Sequence, residues 1–215
     1  MRTPSRFSML CAAAALLCAA AGEGQERVSG IRSSISLQAG YASAGGEWTR
    51  HPYAPVSFFR QSLVIGGEVA IPLSDKLVLA LNGGYSKLST SDWDAYAGSM
   101  GDQVTSSASL GYLAVVIRPY LKSTAPDLVS IEVGPLLLFP AGSERAGGRS
   151  YDYDFMGSPE FGGIAAVEYD RTLGGNYAVY LRVAAIYVPS ALQYADGWSP
   201  SLTSVPVMVG WRFLF

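Results

Sequence analysis

Cysteine is almost absent from this chain. The only two, Cys11 and Cys18, fall inside one apolar run from Met9 to Ala21. Arg2 and Arg6 precede the run, Ala19, Ala20 and Ala21 end it, and Gly22-Glu23-Gly24-Gln25-Glu26 turns polar at once. A charged start, a short apolar middle and a small-residue end are the three parts of a secretory signal, with cleavage expected near Ala21. The run is too short to span a bilayer as a helix. A lipid anchor at Cys18 is disfavoured because Leu17 stands where a small residue should precede a lipidated cysteine. The expected organisation is a cleaved signal peptide over 1–21 and one domain over 22–215. That domain has no thiol, so its stability must come from its core or from its surroundings.

Charge is scarce as well. Fifteen Lys and Arg stand against 17 Asp and Glu, a net charge of −2, which argues against a nucleic-acid surface. No stretch after Ala21 reaches about 18 consecutive apolar residues, which excludes a transmembrane helix. What the sequence does have is 24 Gly, 13 Tyr and short segments in which apolar and polar residues alternate with period two, the signature of half-buried strands.

Eight such segments can be drawn: Arg32 to Ala42, Phe59 to Ile71, Lys76 to Ser86, Ser106 to Tyr120, Leu128 to Phe139, Glu160 to Tyr169, Tyr177 to Tyr187 and Thr203 to Phe215. The seventh sets Tyr177, Val179, Leu181 and Val183 against Tyr180 and Arg182. The fourth is apolar on both faces in its second half, so alternation alone leaves its register open. The connections alternate between long (43–57, 87–105, 140–159, 188–202) and short (72–75, 121–127, 170–176). Tight turns at one end and long loops at the other, with an even strand number, describe an all-β, eight-stranded, antiparallel up-and-down transmembrane β-barrel. Pro135 and Pro206 lie inside proposed strands, and a bulge is expected at each because proline cannot donate to the ladder.

If the apolar faces look outward to lipid, aromatic residues should gather at both water interfaces. Tyr41, Phe59, Tyr85, Phe139, Phe161 and Tyr187 fall at the long-loop ends of the strands, and Tyr120, Tyr169, Tyr177, Phe213 and Phe215 at the short-turn ends. Between the two belts the expected lipid face is aliphatic, apart from Tyr112 and Trp211, and carries no charge. The destination this implies is the bacterial outer membrane.

The closing strand Val205-Pro206-Val207-Met208-Val209-Gly210-Trp211-Arg212-Phe213-Leu214-Phe215 resembles that of the small eight-stranded outer-membrane barrels, the OmpX and OmpW group. The resemblance implies that Trp211, Phe213 and Phe215 form the signal read by barrel-assembly machinery. An OmpW-like protein would further be a narrow channel for small hydrophobic solutes.

Parity assigns the lumen. Arg60, Glu68, Glu132, Glu160, Glu168, Arg182 and Arg212 point inward, with Glu68, Glu132, Glu168, Arg182 and Arg212 gathered in the short-turn half. Charges in so narrow an interior must pair to offset desolvation. In the long-loop half Val64, Leu136, Leu138, Ile164, Ile186 and Met208 point inward beside Gly40, Gly66, Gly84, Gly111 and Gly162, and could line an apolar pocket or conduit. The alternative function is a surface adhesin or host-factor-binding barrel acting through external loops, with Trp93, Tyr96, Tyr151, Tyr153 and Phe155 as contact residues. A remote third is a lipid A-modifying enzyme using His51, Ser91 and Asp92; a lone loop histidine is usually just solvated, so no enzyme activity is expected. Asp92 with Asp94 and Asp152 with Asp154 supply too few fixed ligands for calcium, and no metal or cofactor is expected. The expected partners are outer-membrane lipid, the assembly machinery, and a small hydrophobic solute or a host surface ligand.

Overall fold

A computed structural model describes residues 31–45, 62–88, 92–94, 103–146, 149–151, 159–191 and 201–215. The proposed signal peptide lies outside the described residues. Among those described, ten strands form one antiparallel sheet: β1 Ser34–Gly45, β2 Ser62–Ser74, β3 Leu77–Leu88, β4 Asp92–Asp94, β5 Gln103–Lys122, β6 Asp127–Ala146, β7 Arg149–Tyr151, β8 Glu160–Gly174, β9 Tyr177–Val188 and β10 Leu202–Leu214. Eight of them close into a barrel. Each of the eight pairs with its sequence neighbour in the barrel, and β10 returns to β1 with Ser34 opposite Leu214 and Gly45 opposite Thr203. Closure leaves no strand edge within the wall, as a bilayer requires.

The short turns are as tight as alternation implied. Asp75-Lys76 joins β2 to β3, and Gly175-Asn176 joins β8 to β9. Gly174 and Gly175 have φ of 111° and 58°, backbone values that a Cβ makes costly. At the other end β5 and β6 run further than expected. Beyond Ala108, where β3 ends its pairing, β5 continues against β6 as far as Val104 opposite Ala146. The short β4 and β7 attach to the outer edges of this pair. Part of what reads as loop in 87–105 and 140–159 is therefore a four-stranded projection beyond the barrel rim.

Inside and outside alternate residue by residue. On β9, Ala178, Tyr180, Arg182, Ala184 and Ile186 are buried, while Tyr177, Leu181, Val183 and Tyr187 are exposed. Leu37 is 76% exposed and Phe161 75%, whereas Arg182 and Glu132 are 0% exposed. A water-soluble protein would invert this arrangement, so the exterior is built for lipid. Tyr41, Tyr85, Phe139, Phe161 and Tyr187 form the long-loop belt, and Tyr169, Tyr177, Trp211, Phe213 and Phe215 the short-turn belt. Phe59 lies outside the described residues.

Three expectations need correction. Tyr112 and Tyr120 are not on the lipid face: both are buried in the lumen, with Leu110, Ala114, Val116 and Arg118 on the same side of β5. Leaving Arg118 in hydrocarbon would cost several kcal/mol, so its parity fixes the strand. Gly111 accordingly faces outward, where a Cβ would lie 3.7 Å from the Phe139 side chain. The bulges expected at Pro135 and Pro206 do not occur either. Pro135 stays in register opposite Gly163, and Pro206 opposite Ala42. The pairings interrupted are those on the other flank, at Val115 and Val116 of β5 and at Val205 and Pro206 of β10. Each proline thus turns its missing N–H to one neighbour and keeps its ladder with the other. Register irregularities sit instead near the short turns, at Pro72/Ser74, Tyr120/Lys122 and Thr172/Gly174.

Candidate functional site: the barrel lumen

From the short-turn end upward, the lumen is stacked in layers. Ile31, from the segment before β1, is 2% exposed and closes the bottom beside Ala70, Val78, Leu128, Ala178 and Leu214. The backbone fixes this end. Phe215 N–H donates to Ser33 O at 2.9 Å, and Leu214 N–H to Asn176 O at 2.7 Å.

Above lies a ring of ions. Arg118 donates from Nε to Glu132 Oε1 at 2.9 Å, pairs through Nη1 with Glu168 at 3.3 Å, and binds Glu68 through Nη2. Arg182 donates to Glu132 Oε2 from Nε at 3.0 Å and from Nη2 at 2.6 Å. Arg212 donates from Nη2 to Glu68 at 3.1 Å and to Glu168 at 2.8 Å, and from Nη1 to Asp170. Its guanidinium also stands 4.5 Å from the centre of the Tyr180 ring, a stabilising cation–π contact. All of these residues are at most 5% exposed. Every expected member of the cluster, Glu68, Glu132, Glu168, Arg182 and Arg212, is here. Carboxylate oxygens of Glu68, Glu132 and Glu168 converge within 4.8 Å, a spacing a metal could use, but Arg118 binds all three. A guanidinium fills the place of a cation.

Arg118 and Asp170 were not among the expected members. Arg118 was hidden by the featureless periodicity of β5, and Asp170 by its place in an expected turn that is in fact strand β8. Glu160 is half-buried at the upper end of β8, and Arg60 lies outside the described residues.

A polar layer separates the ions from the upper lumen. Asn82 donates from Nδ2 to Glu68 at 3.2 Å and accepts at Oδ1 from the Tyr112 hydroxyl at 3.2 Å and from Gln38 Nε2 at 3.5 Å. Tyr180 lies 3.1 Å from Ser36 Oγ and 3.3 Å from Gln38 Oε1. Two glycines make room for the rings: a Cβ on Gly84 would come within 2.4 Å of Tyr112, and one on Gly210 within 2.2 Å of Tyr180. Tyr112→Phe should therefore destabilise the barrel by about 0.5–1.5 kcal/mol, the range for one buried hydrogen bond. Chemical unfolding in lipid vesicles would measure it, and a neutral or stabilising result would return Tyr112 to the lipid face.

The upper lumen is apolar. Val64, Leu136, Leu138, Ile164, Ile186 and Met208 are each at most 5% exposed and point inward as expected. Ala191 and Leu202, 0% and 1% exposed, close over them. The cavity that Val64, Leu138, Ile186 and Leu202 line with Tyr112 and Leu110 measures about 30 Å³, and the one at the bottom about 10 Å³. A single water needs about 10–15 Å³, so among the described residues these two cavities take a water or two at most.

The expected loop contacts are less completely seen. Trp93 lies on β4 and Tyr151 on β7, whereas Tyr96, Tyr153 and Phe155 lie outside the described residues, as do His51, Ser91, Asp152 and Asp154. Asp92 and Asp94 pair through their backbone with Thr105 and Gln103. Trp211, Phe213 and Phe215 line the outer wall of the barrel, 50%, 38% and 41% exposed.

No protein-family model matches the sequence, and the comparison with curated proteins gives no match. Among solved structures the chain is similar to a major outer membrane protein from Thermus thermophilus, with 14% identity over 85% of this chain and 99% of that one and a TM-score of 0.52. It is also similar to Neisserial surface protein A, with 13% identity over 85% and 97% and a TM-score of 0.50. A third match is OprG from Pseudomonas aeruginosa, at 11% identity over 86% and 96% and a TM-score of 0.50. With its closed wall, lipid-facing exterior and ion-filled lumen, the chain has the fold of the small eight-stranded outer-membrane β-barrels.

Proposed function

We propose that this protein works at the bacterial surface through the elements above its rim, and that the barrel is a rigid, non-conducting support with no catalytic role. The observation that carries the reading is the lumen itself. Three guanidiniums and four carboxylates interlock across the axis between packed apolar layers, and such a network costs several kcal/mol to break. Meanwhile β5 and β6 carry β4 and β7, with Trp93 and Tyr151, beyond the wall. Aromatic residues on elements placed there suit contact with a host surface ligand. Planar-bilayer recordings should show no ion conductance. Grafting residues 87–105 and 140–159 onto an inert barrel should transfer whatever binding to host cells the protein has. Steady conductance, or binding that stays behind with the wall, would defeat the proposal.

A second reading, a narrow conduit for small hydrophobic solutes, is favoured by one feature: the six aliphatic side chains facing the upper lumen. It requires the 30 Å³ chamber to widen and the ion ring to open. Uptake of labelled apolar solutes into vesicles holding the protein, above that of empty vesicles, would establish it.

A further inference from the structure

The outer wall carries a groove of about 640 Å³ near the short-turn end, across β8, β9, β10 and β1. Register orders it. In one row Trp211 stands opposite Val179, and Val179 opposite Arg171; in the next Val209 stands opposite Leu181, and Leu181 opposite Tyr169. Val179 thus lies between an indole on one side and a guanidinium on the other. Tyr177 holds the indole, with ring centres 5.7 Å apart.

The charge beside the groove is not balanced. Asp127 accepts the Tyr169 hydroxyl at 2.7 Å and lies 3.6 Å from Arg171 and 3.9 Å from Lys122. One carboxylate, already hydrogen-bonded, sits between two cations whose side chains are more than half exposed. This positive edge borders the belt of Tyr169, Tyr177 and Trp211, the depth at which lipid headgroups lie.

We propose that the groove is a binding site for an anionic phospholipid of the periplasmic leaflet, one acyl chain lying over Val179 and Val209 and the phosphate on Arg171 and Lys122. Charge complementarity selects this occupant: a second copy of the barrel would bring its own lipid-facing apolar wall, which leaves the excess positive charge unanswered. A cation at the membrane surface favours an anionic lipid by a factor of about five.

The test uses Trp211 as reporter, with Trp48, Trp93 and Trp198 replaced by Phe in the full chain. The protein is reconstituted in phosphatidylcholine vesicles containing a minor fraction of phosphatidylglycerol with brominated acyl chains. Trp211 fluorescence should be quenched as if the brominated lipid were about fivefold enriched around it. Brominated phosphatidylcholine at the same fraction should show no enrichment. Arg171→Gln with Lys122→Gln should abolish the difference while circular dichroism stays unchanged. Native mass spectrometry of the unsubstituted chain, released from the same mixture, should retain phosphatidylglycerol in preference to phosphatidylcholine. Equal quenching by the two lipids would overturn the proposal, as would enrichment that survives loss of both cations. A dimer cross-linked through the Trp211 face, without lipid preference, would overturn it in favour of a second copy.

Discussion

Replacing Arg118 with methionine should destabilise the barrel by roughly 3–5 kcal/mol, the range for removing one partner of a buried ion pair. The upper end is expected. Arg118 touches Glu68, Glu132 and Glu168 at once, and its loss leaves four carboxylates facing only Arg182 and Arg212. Water cannot enter freely to solvate them, because the layers above and below are packed and the wall faces lipid. Equilibrium urea unfolding in phospholipid vesicles would measure the loss. Two variants separate this effect from mere truncation. Lys122→Met removes a cation whose side chain is 54% exposed, and such a surface change should stay within about 0.5 kcal/mol. Adding Glu68→Gln to Arg118→Met removes one uncompensated charge, leaves Glu132 on Arg182 and Glu168 with Asp170 on Arg212, and should restore part of the loss. An Arg118→Met barrel that unfolds at the parent midpoint would mean that the ring does not hold the lumen together, and the rigid-support reading would lose its basis.

Arg118 also shows where sequence reasoning runs out. β9 and β10 are legible because hydrophobic periodicity and charge agree: Arg182 and Arg212 alternate with Leu181, Val183, Trp211 and Phe213, so parity sorts lumen from lipid without ambiguity. β5 offers no such contrast in its middle, where Ala114 and Val116 face in and Val115 and Ile117 face out. All four are apolar, and the period-two signal vanishes. The lumen needs small side chains there because Tyr112 and Arg118, from the same strand, already reach across it. One charge could have settled the strand, since Arg118 is tolerable only inside, and it carries Tyr112 and Tyr120 with it. Asp170 was obscured differently. The strand was expected to stop at Tyr169, whereas the left-handed pair Gly174-Gly175 places the turn later. Pairing across the axis is beyond any face assignment. Glu132 and Arg182 lie on strands that are not neighbours, and they meet because eight strands enclose a lumen that two side chains can bridge. The alternation of the strands gave away the wall; the partners within it depend on stagger, which residue spacing does not encode.

The stagger itself can be tested at Gly134. This residue faces the lumen beside Pro135, where the β5–β6 ladder skips Val115 and Val116. A Cβ on Gly134 would lie 2.0 Å from the Val115 carbonyl oxygen and 2.8 Å from Val116 Cα. Both are backbone atoms of the adjoining strand, so no rotamer change can relieve the contact and β5 must move away from β6. Overpacking of this kind costs typically about 1–3 kcal/mol, and Gly134→Ala should fall there. Gly134→Val adds two methyl groups beside Val116, which is 0% exposed, and should prevent the barrel from closing. Its folded form should then be missing from gels that separate folded from heat-unfolded barrels. Gly163 supplies the contrast. It lies across the ladder from Pro135, and a Cβ there would be 3.9 Å from the Gly134 carbonyl oxygen, with only lipid beyond. Gly163→Ala should therefore shift stability by no more than about 0.5 kcal/mol. Equal behaviour of the two alanine variants would show that β5 and β6 do not approach so closely at Gly134, and the register that brings Arg118 into the ring would have to be redrawn.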